Sequence, residues 1–335
     1  MKTLSEILEK EAGYRIKQAE ELIFKNLISD WQEALVLPKS LREKLNTLFP
    51  LAINAKTFES SDEKTIKAAI EFDGEIVETV LIKHQERNTV CLSSQIGCSI
   101  GCDFCATGKL GLIRNLTDWE IVSQALFFAR LLKKDNEKIN NLVFMGMGEP
   151  MQNYQNVMSA IKILNKETGL NIGARKISIS TAGVIEGIKK LSHEEMQLNL
   201  AISLHAPNNT LRNKLIPLNK TIPIEKLLGE VKSYIKKTKR KVMIEYAMLD
   251  GVNDDEKCAA ELVKLLKSSL ANLYLVNLIQ YNPTESYQAS SSEKIQKFKK
   301  ILEGKKVPVI ERFRFGRDIK AACGQLAGRL SAELS

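Results

Sequence analysis

The chain has 335 residues, of which 44% are hydrophobic and 27% are charged, and its formal net charge is +9. This composition is typical of a globular protein with a normal core, and it excludes the collagen, coiled-coil and low-complexity classes. The first ten residues are charged and contain no apolar run, and no segment reaches the roughly 20 apolar residues of a bilayer-spanning helix. We therefore expect a cytoplasmic protein that has no membrane segment.

The basic excess suggests a polyanionic partner, because the release of counterions favours binding of basic surfaces to phosphate backbones. It is concentrated in two patches. The first is the run 231–241, which carries basic and no acidic residues. The second patch comprises Arg312, Arg314, Arg317 and Lys320. Either patch could instead be a solvated surface, and the first could also complement the dipole at a helix C-terminus.

The N-terminal part of the chain reads as helical. Apolar residues recur at helical spacing between residues 16 and 27, and Pro38 and Pro50 act as breakers. This pattern predicts a small helical accessory domain, to which we assign residues 1–70.

The remaining residues, 71–335, are predicted to form the main domain. It begins with a β-hairpin, because 75–83 and 88–93 are β-rich and flank a short polar turn. Further β-rich runs lie at 142–145, 176–180, 198–203, 242–246 and 273–279. The segments between them are long enough for helices, and this alternation is typical of a parallel sheet. With about six strands rather than eight, we predict a partial (βα)6 barrel of the α/β class; a flat doubly wound sheet is the alternative.

Three cysteines carry the strongest chemical signal. Cys98, Cys102 and Cys105 have the spacing Cys-x3-Cys-x2-Cys, directly after the hairpin. Three thiolates this close can hold three irons of a four-iron cluster and leave the fourth iron open to a chelating small molecule. Radical S-adenosylmethionine (SAM) enzymes use this arrangement. A zinc site completed by a fourth ligand such as Cys91 is the alternative.

Glycine and polar residues follow the predicted strands at their carboxyl ends, where the active sites of such sheets lie. The ammonium, carboxylate, ribose and adenine of SAM require polar groups and a close backbone approach. The candidate cofactor-binding residues are Gly148, Glu149, Ser180, Ser203, Leu204, His205 and Asn282. Each of them alone could equally form a turn or cap a helix, but their occurrence together in one βα framework favours a binding site.

Several motifs closely resemble those of the RlmN/Cfr family of radical SAM RNA adenine methyltransferases. The matching segments are 90–105, 144–150, 178–183, 203–207, 281–283 and 318–326. The last of these surrounds Cys323 and is the most specific, since few other radical SAM enzymes have such an ending. The resemblance spans essentially the whole chain, and it implies a radical SAM barrel, a [4Fe-4S] cluster and SAM.

The resemblance also implies a reaction sequence. One SAM methylates the thiolate of Cys323, and a second is cleaved reductively to a 5′-deoxyadenosyl radical that removes hydrogen from this methyl group. The methylene radical then adds to carbon 2 of adenine, which is too electron-poor to attack a sulfonium. Glu78 accepts the proton of the adduct, and Cys91 releases the product by forming a transient disulfide with Cys323. An outward-facing strand glutamate is the structural alternative for Glu78.

The implied substrates are 23S rRNA and tRNA, methylated at carbon 2 of an adenosine that is extruded from its stack. Methylation of carbon 8, as in the Cfr branch, is the alternative: Pro150 and the run 206–208 favour carbon 2, whereas Tyr281 stands where many carbon 2 enzymes have tryptophan. Basic residues of the tail and of the N-terminal domain are expected to contact the RNA. We also expect a monomer and an electron donor such as flavodoxin. Two alternatives come from other functional classes: a radical activase that acts on a partner protein, and a zinc-bound RNA-binding module.

Overall fold

Short strands alternate with amphipathic helices along the chain, and the computed structural model describes residues 3–270, 272–284, 286–312, 316 and 318–328. The strands are β1 (Ala55–Glu59), β2 (Thr65–Phe72), β3 (Glu75–His84), β4 (Arg87–Cys91), β5 (Gln95–Gly97), β6 (Leu112–Asn115), β7 (Asn141–Phe144), β8 (Ile177–Thr181), β9 (Asn199–Ser203), β10 (Val242–Met248), β11 (Tyr274–Gln280) and β12 (Val309–Arg312). The helices are α1 (Leu4–Ile7), α2 (Tyr14–Phe24), α3 (Lys39–Leu48), α4 (Ala106–Lys109), α5 (Asp118–Lys133), α6 (Tyr154–Asn165), α7 (Ile185–Leu191), α8 (Asn209–Leu215), α9 (Ile224–Thr238), α10 (Glu256–Ser269) and α11 (Ser292–Gly304).

Ten strands form one sheet in the order β1-β2-β3-β4-β7-β8-β9-β10-β11-β12, and β5 pairs with β6 in a separate ribbon. From β4 to β12 all neighbours in the main sheet are parallel, whereas β1 to β4 pair antiparallel. Each parallel strand of the main sheet lies beside the strand of that sheet that precedes it in the chain, which is the order of a βα barrel. A doubly wound sheet would reverse direction from a central strand. The predicted partial barrel is therefore confirmed.

The strands differ from the prediction in number. All five predicted βα strands and the β3–β4 hairpin are present, but β1, β2, β5, β6 and β12 were not predicted. Helix α3 ends at Leu48, and the expected domain boundary near residue 70 falls inside β2. The apolar residues of α2 and α3 pack in the same hydrophobic cluster as those of the sheet. Among the described residues, no helix has the length and hydropathy needed to span a membrane.

Alternate residues of the barrel strands face opposite sides, because successive side chains of a strand point to opposite faces. In β10, Val242, Ile244 and Tyr246 belong to the main core beneath the helices. Met243 and Glu245 instead line the cavity inside the barrel. The barrel interior, called the lumen below, therefore receives polar side chains from strands that read as hydrophobic in the sequence.

Candidate active site

The cysteine triplet lies on the loop between β5 and α4. Cys98, Cys102 and Cys105 all line one cavity of about 170 Å³ at the carboxyl ends of the parallel strands, called here the cysteine cavity. The loop begins at Gly97, whose φ of +72° lies in the left-handed region that favours glycine. A Cβ at this position would clash with the carbonyl oxygen of Gly111, so the close approach of β5 and β6 also requires a glycine.

Burial determines the protonation of these thiols. It raises the pKa of Cys98 to about 12 and also raises the pKa values of Cys102 and Cys105. Since only the thiolate binds a metal, a cationic group at the site would be needed to ionise them. The three thiols pack against an apolar cluster that contains Ile100 and Phe104, and sulfur ligands in such surroundings are suited to an iron–sulfur cluster.

One positive charge already lies nearby, on the fully buried Arg212 of α8. Its guanidinium donates to the carbonyl oxygens of Ala182, Leu204 and Ser203, at 2.6 to 3.2 Å. It therefore connects the ends of β8 and β9, and its charge lowers the pKa of Cys102 against the larger effect of burial. This role was not predictable from the sequence, because Arg212 has the pattern of a surface residue on a short helix.

The arrangement argues against the zinc alternative. In the described part of the chain, no three His, Cys, Asp or Glu side chains are placed to hold a single metal ion. Cys91 lies at the end of β4 and packs against Val80 and Met147, in a different cluster from the triplet. A four-iron cluster fits better, since its cysteines bind separate irons and need not meet at one point.

Most of the candidate cofactor-binding residues lie around the triplet. Those that line the cysteine cavity are Gly148, Glu149, Ser180, Ser203, His205 and Asn282. Leu204 differs, because its side chain is fully buried in the main core. Only its backbone lies near the site, where its N–H donates to the carbonyl of Glu245.

Glu149 is held rigidly at the end of β7. Its two carboxylate oxygens accept the N–H groups of Met151, at 3.0 Å, and Ala182, at 2.7 Å. Burial raises the pKa of Glu149 to about 7 despite these bonds. Gly148 before it has a φ of +95°, and a Cβ there would lie 2.5 Å from the Cβ of Gln95. The turn therefore fixes the carboxylate in the cavity wall.

His205 contributes a neutral ring. Its Nδ1 accepts a hydrogen bond from the backbone N–H of Ala247 at 2.9 Å. This bond assigns the ring proton to Nε2. Burial lowers the pKa of His205 to about 3, so the ring stays neutral. Nearby, the Oδ1 of Asn282 is buried without a hydrogen-bond partner. An unpaired acceptor in a cavity wall fits a ligand that brings donors, such as the ammonium or ribose of SAM.

A second and larger cavity of about 730 Å³ occupies the rest of the lumen, and is called here the lumen cavity. Its walls include Asn141, Ser178 and Met243, near the amino ends of their strands, and also Cys91. Some residues line both cavities: Met145, Glu245, Ile279, Asn282, Arg312, Cys323 and Leu326. Cys323 therefore lies where the two cavities meet.

Residues 318–328, called here the tail, are attached to the cysteine loop. The carbonyl of Gly324 accepts the N–H of Ala106 at 2.8 Å, and the hydroxyl of Thr107 donates to the carbonyl of Leu326 at 2.6 Å. The amide of Gln325 donates to the carbonyl of Pro283 at 3.2 Å. These bonds hold Cys323 beside the residues that follow Cys105.

Cys91 and Cys323, distant in sequence, line the same lumen cavity as free thiols. Burial and, to a smaller extent, the charge of Cys323 raise the pKa of Cys91 to about 12. The guanidinium of Arg312 opposes both effects. Arg312 ends β12 and faces the lumen rather than the outer surface, so it does not belong to the basic surface patch expected for the tail. Of that patch, Lys320 is exposed, whereas Arg314 and Arg317 lie outside the described residues.

Glu78 has a different position from the one expected of a free proton acceptor. It is 3% exposed, so it is not an outward-facing strand residue. One carboxylate oxygen lies 2.8 Å from the ammonium of Lys67. The other accepts the N–H groups of Ala327, at 2.6 Å, and Gly328, at 2.9 Å. In this conformation the carboxylate binds the tail and lines neither cavity. The sequence signal for this pair was the charge of Lys67 within the apolar run of β2.

A third cavity, of about 570 Å³, adjoins the lumen cavity and shares Arg87 and Asn141 with it. Lys25, Lys138 and Lys176 also line it. Lys25 follows α2, so the N-terminal helical region contributes to this basic surface. The predicted basic run 231–241 forms the end of α9 and the residues before β10, with lysines in the last turn of the helix, as the dipole interpretation expected.

Comparisons with known proteins agree with this geometry. Residues 92–263 match the family model of the radical SAM superfamily. A protein of Dictyoglomus thermophilum, described as a probable dual-specificity RNA methyltransferase RlmN, is 46% identical over 94% of this chain and 91% of its own length. A protein of the same description from Bacillus cytotoxicus is 40% identical over 95% of this chain and 88% of its own. The crystal structure of a radical SAM methyltransferase from Sphaerobacter thermophilus superposes with a TM-score of 0.93, at 42% identity, over 97% of each chain.

Proposed function

Because this chain belongs to the RlmN family of radical SAM RNA methyltransferases, we propose that it methylates carbon 2 of a specific adenosine in 23S rRNA and in tRNA, through a methylated Cys323. The observation that carries the proposal is the position of Cys323 where the cysteine cavity and the lumen cavity meet. A sulfur there can receive a methyl group from one side and deliver it to a base on the other. The description of the relatives as dual-specificity enzymes supports two classes of RNA substrate.

The triplet of cysteines would hold the [4Fe-4S] cluster, and Glu149, His205 and Asn282 would bind SAM. When bound, the cluster and SAM supply the methyl group and a carbon-centred radical. The chain itself provides the tail that positions the sulfur of Cys323, and apolar walls that include Phe144 and Ile279 and exclude water from it.

Cys91 would release the product by attacking the sulfur of Cys323 as a thiolate. The bond between that sulfur and the methylene carbon breaks, the carbon keeps the electron pair and takes up a proton to become the methyl group of the base, and Cys91 and Cys323 are left as a disulfide. Its position in the wall of the lumen cavity supports this role. Burial raises the pKa of Cys91 to about 12 even though the nearby charge of Arg312 lowers it, so the thiol must be deprotonated before it attacks.

Glu78 would accept the proton of the adduct. Its carboxylate now binds Ala327 and Gly328, so these two hydrogen bonds must break before it can act as a base. Binding of the RNA would displace the end of the tail and free the carboxylate. This role therefore couples proton transfer to the arrival of the substrate.

The RNA would enter at the amino ends of the strands, where the lumen cavity is next to the basic third cavity. Lys25, Arg87, Lys138 and Lys176 line that cavity and suit phosphate groups that flank an extruded nucleotide. Lys25 gives the N-terminal region a part in RNA binding. We further propose that the protein acts in the cytoplasm as a monomer, because one chain supplies the whole described site, with an electron donor such as flavodoxin.

The test uses purified protein with a reconstituted cluster, a reductant, SAM with a labelled methyl group, and RNA. The wild-type protein should produce 2-methyladenosine, identified by mass spectrometry of nucleosides, and Cys323→Ala should produce none. Cys258→Ala is the matched control, because Cys258 lies on α10, away from both cavities, and should keep full activity. An 8-methyladenosine product would favour the alternative specificity, and methylation by Cys323→Ala would refute the role of this cysteine.

A further inference from the structure

We infer that Glu245 and Asn277 form an adenine-recognition site in the lumen cavity, where two buried oxygen acceptors bind the exocyclic amino group of the target base. The site rests on the proposed function and names the chemistry by which that function would select its substrate. Neither residue was a candidate in the sequence, because each lies within a strand that reads as apolar.

The two side chains are placed together by strand register. Glu245 of β10 and Asn277 of β11 are direct partners in the parallel ladder. Their neighbours Ile244 and Val276 point into the main core, so Glu245 and Asn277 face the lumen. The amide nitrogen of Asn277 donates to the Oε2 of Glu245 at 2.8 Å. This bond fixes both groups relative to each other.

The bond leaves two acceptors without partners. Glu245 and Asn277 are only 3% and 6% exposed. Despite this burial, the Oε1 of Glu245 and the Oδ1 of Asn277 make no hydrogen bond. Buried polar atoms are nearly always paired, and an unpaired one destabilises the protein unless a ligand or water satisfies it. Two neighbouring acceptors in a cavity wall therefore indicate a ligand that brings N–H donors.

The amino group of adenine is such a donor. A 6-oxo purine would instead place a carbonyl oxygen against these two acceptors, so the same pair would reject inosine and guanine. The volume of about 730 Å³ lies within the roughly 300–1,000 Å³ range of small-molecule sites. One nucleotide therefore fits the lumen cavity.

The pair shares one cavity with the two cysteines of the proposed methyl transfer. Glu245, Asn277, Cys91 and Cys323 all line the lumen cavity. The amino group of adenine borders both the Watson–Crick edge, which contains carbon 2, and the Hoogsteen edge, which contains N7 and carbon 8. A base held by its amino group would thus lie in the same cavity as the sulfur of Cys323, and the pair selects adenine without choosing between the two carbons.

Arg312 contributes a positive charge close to Glu245. Its guanidinium lines the same cavity. Burial raises the pKa of Glu245, and Arg312 and the bond from Asn277 counteract that effect. Glu245 accepts the bond from Asn277 on one oxygen, and its other oxygen remains available to a donor of the base.

The test compares RNA hairpins that carry adenosine, purine riboside or inosine at the target position. Purine riboside lacks only the amino group. For the reconstituted wild-type protein, kcat/KM should be about 10- to 100-fold lower with purine riboside than with adenosine, and lower still with inosine, because the acceptors stay unpaired. Equilibrium binding of the same hairpins, followed by fluorescence anisotropy, should give the same order without turnover.

The variants Glu245→Gln and Asn277→Ala should reduce the ratio of adenosine to purine riboside by at least about threefold. Ser178→Ala, which changes another polar wall of the lumen cavity, should leave this ratio unchanged. Methylation of Cys323 by SAM, measured by protein mass in the absence of RNA, shows whether each variant is folded and competent. If a variant fails to fold, the discrimination by the wild-type protein remains the test.

The outcomes separate the two levels of the proposal. If the wild-type protein methylates no adenosine in RNA, the proposed function fails. If it methylates adenosine and purine riboside equally well, or if Glu245→Gln retains the wild-type ratio, the recognition site alone is overturned.

Discussion

Glu78 and Lys67 form an ion pair of 2.8 Å in which both side chains are at most 3% exposed. The ion pair joins β3 to β2, and it turns the second carboxylate oxygen of Glu78 toward the backbone of Ala327 and Gly328. One buried charge pair thereby attaches the end of the tail to the antiparallel part of the sheet. The tail contains Cys323, so its attachment affects the site directly.

The variant Glu78→Gln should be destabilised by about 3–5 kcal/mol, because Lys67 would remain buried without a counter-charge. Amide hydrogen exchange in the tail should become faster. Urea unfolding and exchange mass spectrometry measure the two effects.

Two further variants serve as controls for this change. Glu71→Gln, on the exposed end of β2, should change stability by no more than about 0.5 kcal/mol. The double variant Lys67→Met with Glu78→Met should recover much of the loss, since no charge remains buried. Unchanged stability of Glu78→Gln would mean that the pair does not hold the tail.

The variant Cys91→Ala should accumulate protein bound covalently to RNA through Cys323, because the thiol that resolves the adduct is missing. A denaturing gel with labelled RNA detects the adduct. The double variant without Cys91 and Cys323 should form none, and Cys258→Ala should turn over normally. Multiple turnovers by Cys91→Ala would contradict the proposed release step.

The variant Gly148→Ala should lose affinity for SAM, because its Cβ would meet the Cβ of Gln95 at 2.5 Å and displace the turn that holds Glu149. Gly251→Ala is the control: that glycine also has a positive φ, of +66°, but nothing lies within 4 Å of its added Cβ. The control should bear only backbone strain of about 1–2 kcal/mol and bind SAM normally. Calorimetric titration of both variants decides the matter, and equal affinities would refute the role of the turn.

His205 should make the protein less stable in acid. Its pKa is lowered by burial to about 3, from 6.5, so the unfolded state binds more protons between these values. The contribution of the neutral ring is thus fully present above pH 6.5 and is lost as the pH falls toward 3. In His205→Gln, the free energy of unfolding should decline less steeply below pH 6.5, whereas the exposed His193→Gln should follow the wild type. Identical slopes for His205→Gln and the wild type would show that the ring is not held neutral.

Much of the barrel was predictable from local patterns, because its strands are short apolar runs separated by helices. The candidate cluster ligands were predictable as well, because they lie within eight residues of one another. The residues that hold the site together were not. Lys67 and Glu245 are charges inside apolar strands, and one sequence does not reveal which face of a strand meets a lumen. Arg312 was assigned to a surface patch, but strand register turns it inward. Such placements depend on the pairing of distant segments.

The tail meets the lumen through loop backbone rather than through a strand. Among the described residues, its attachments are hydrogen bonds to Glu78, Ala106, Thr107, Pro283 and Ser61, together with apolar contacts of Ile319, Ala321 and Leu326. Withdrawing it breaks these bonds but no ladder of the sheet, so local opening requires much less free energy than global unfolding. Opening of the lumen therefore depends on the bonds and contacts of the tail itself and not on the strand pairing of the barrel.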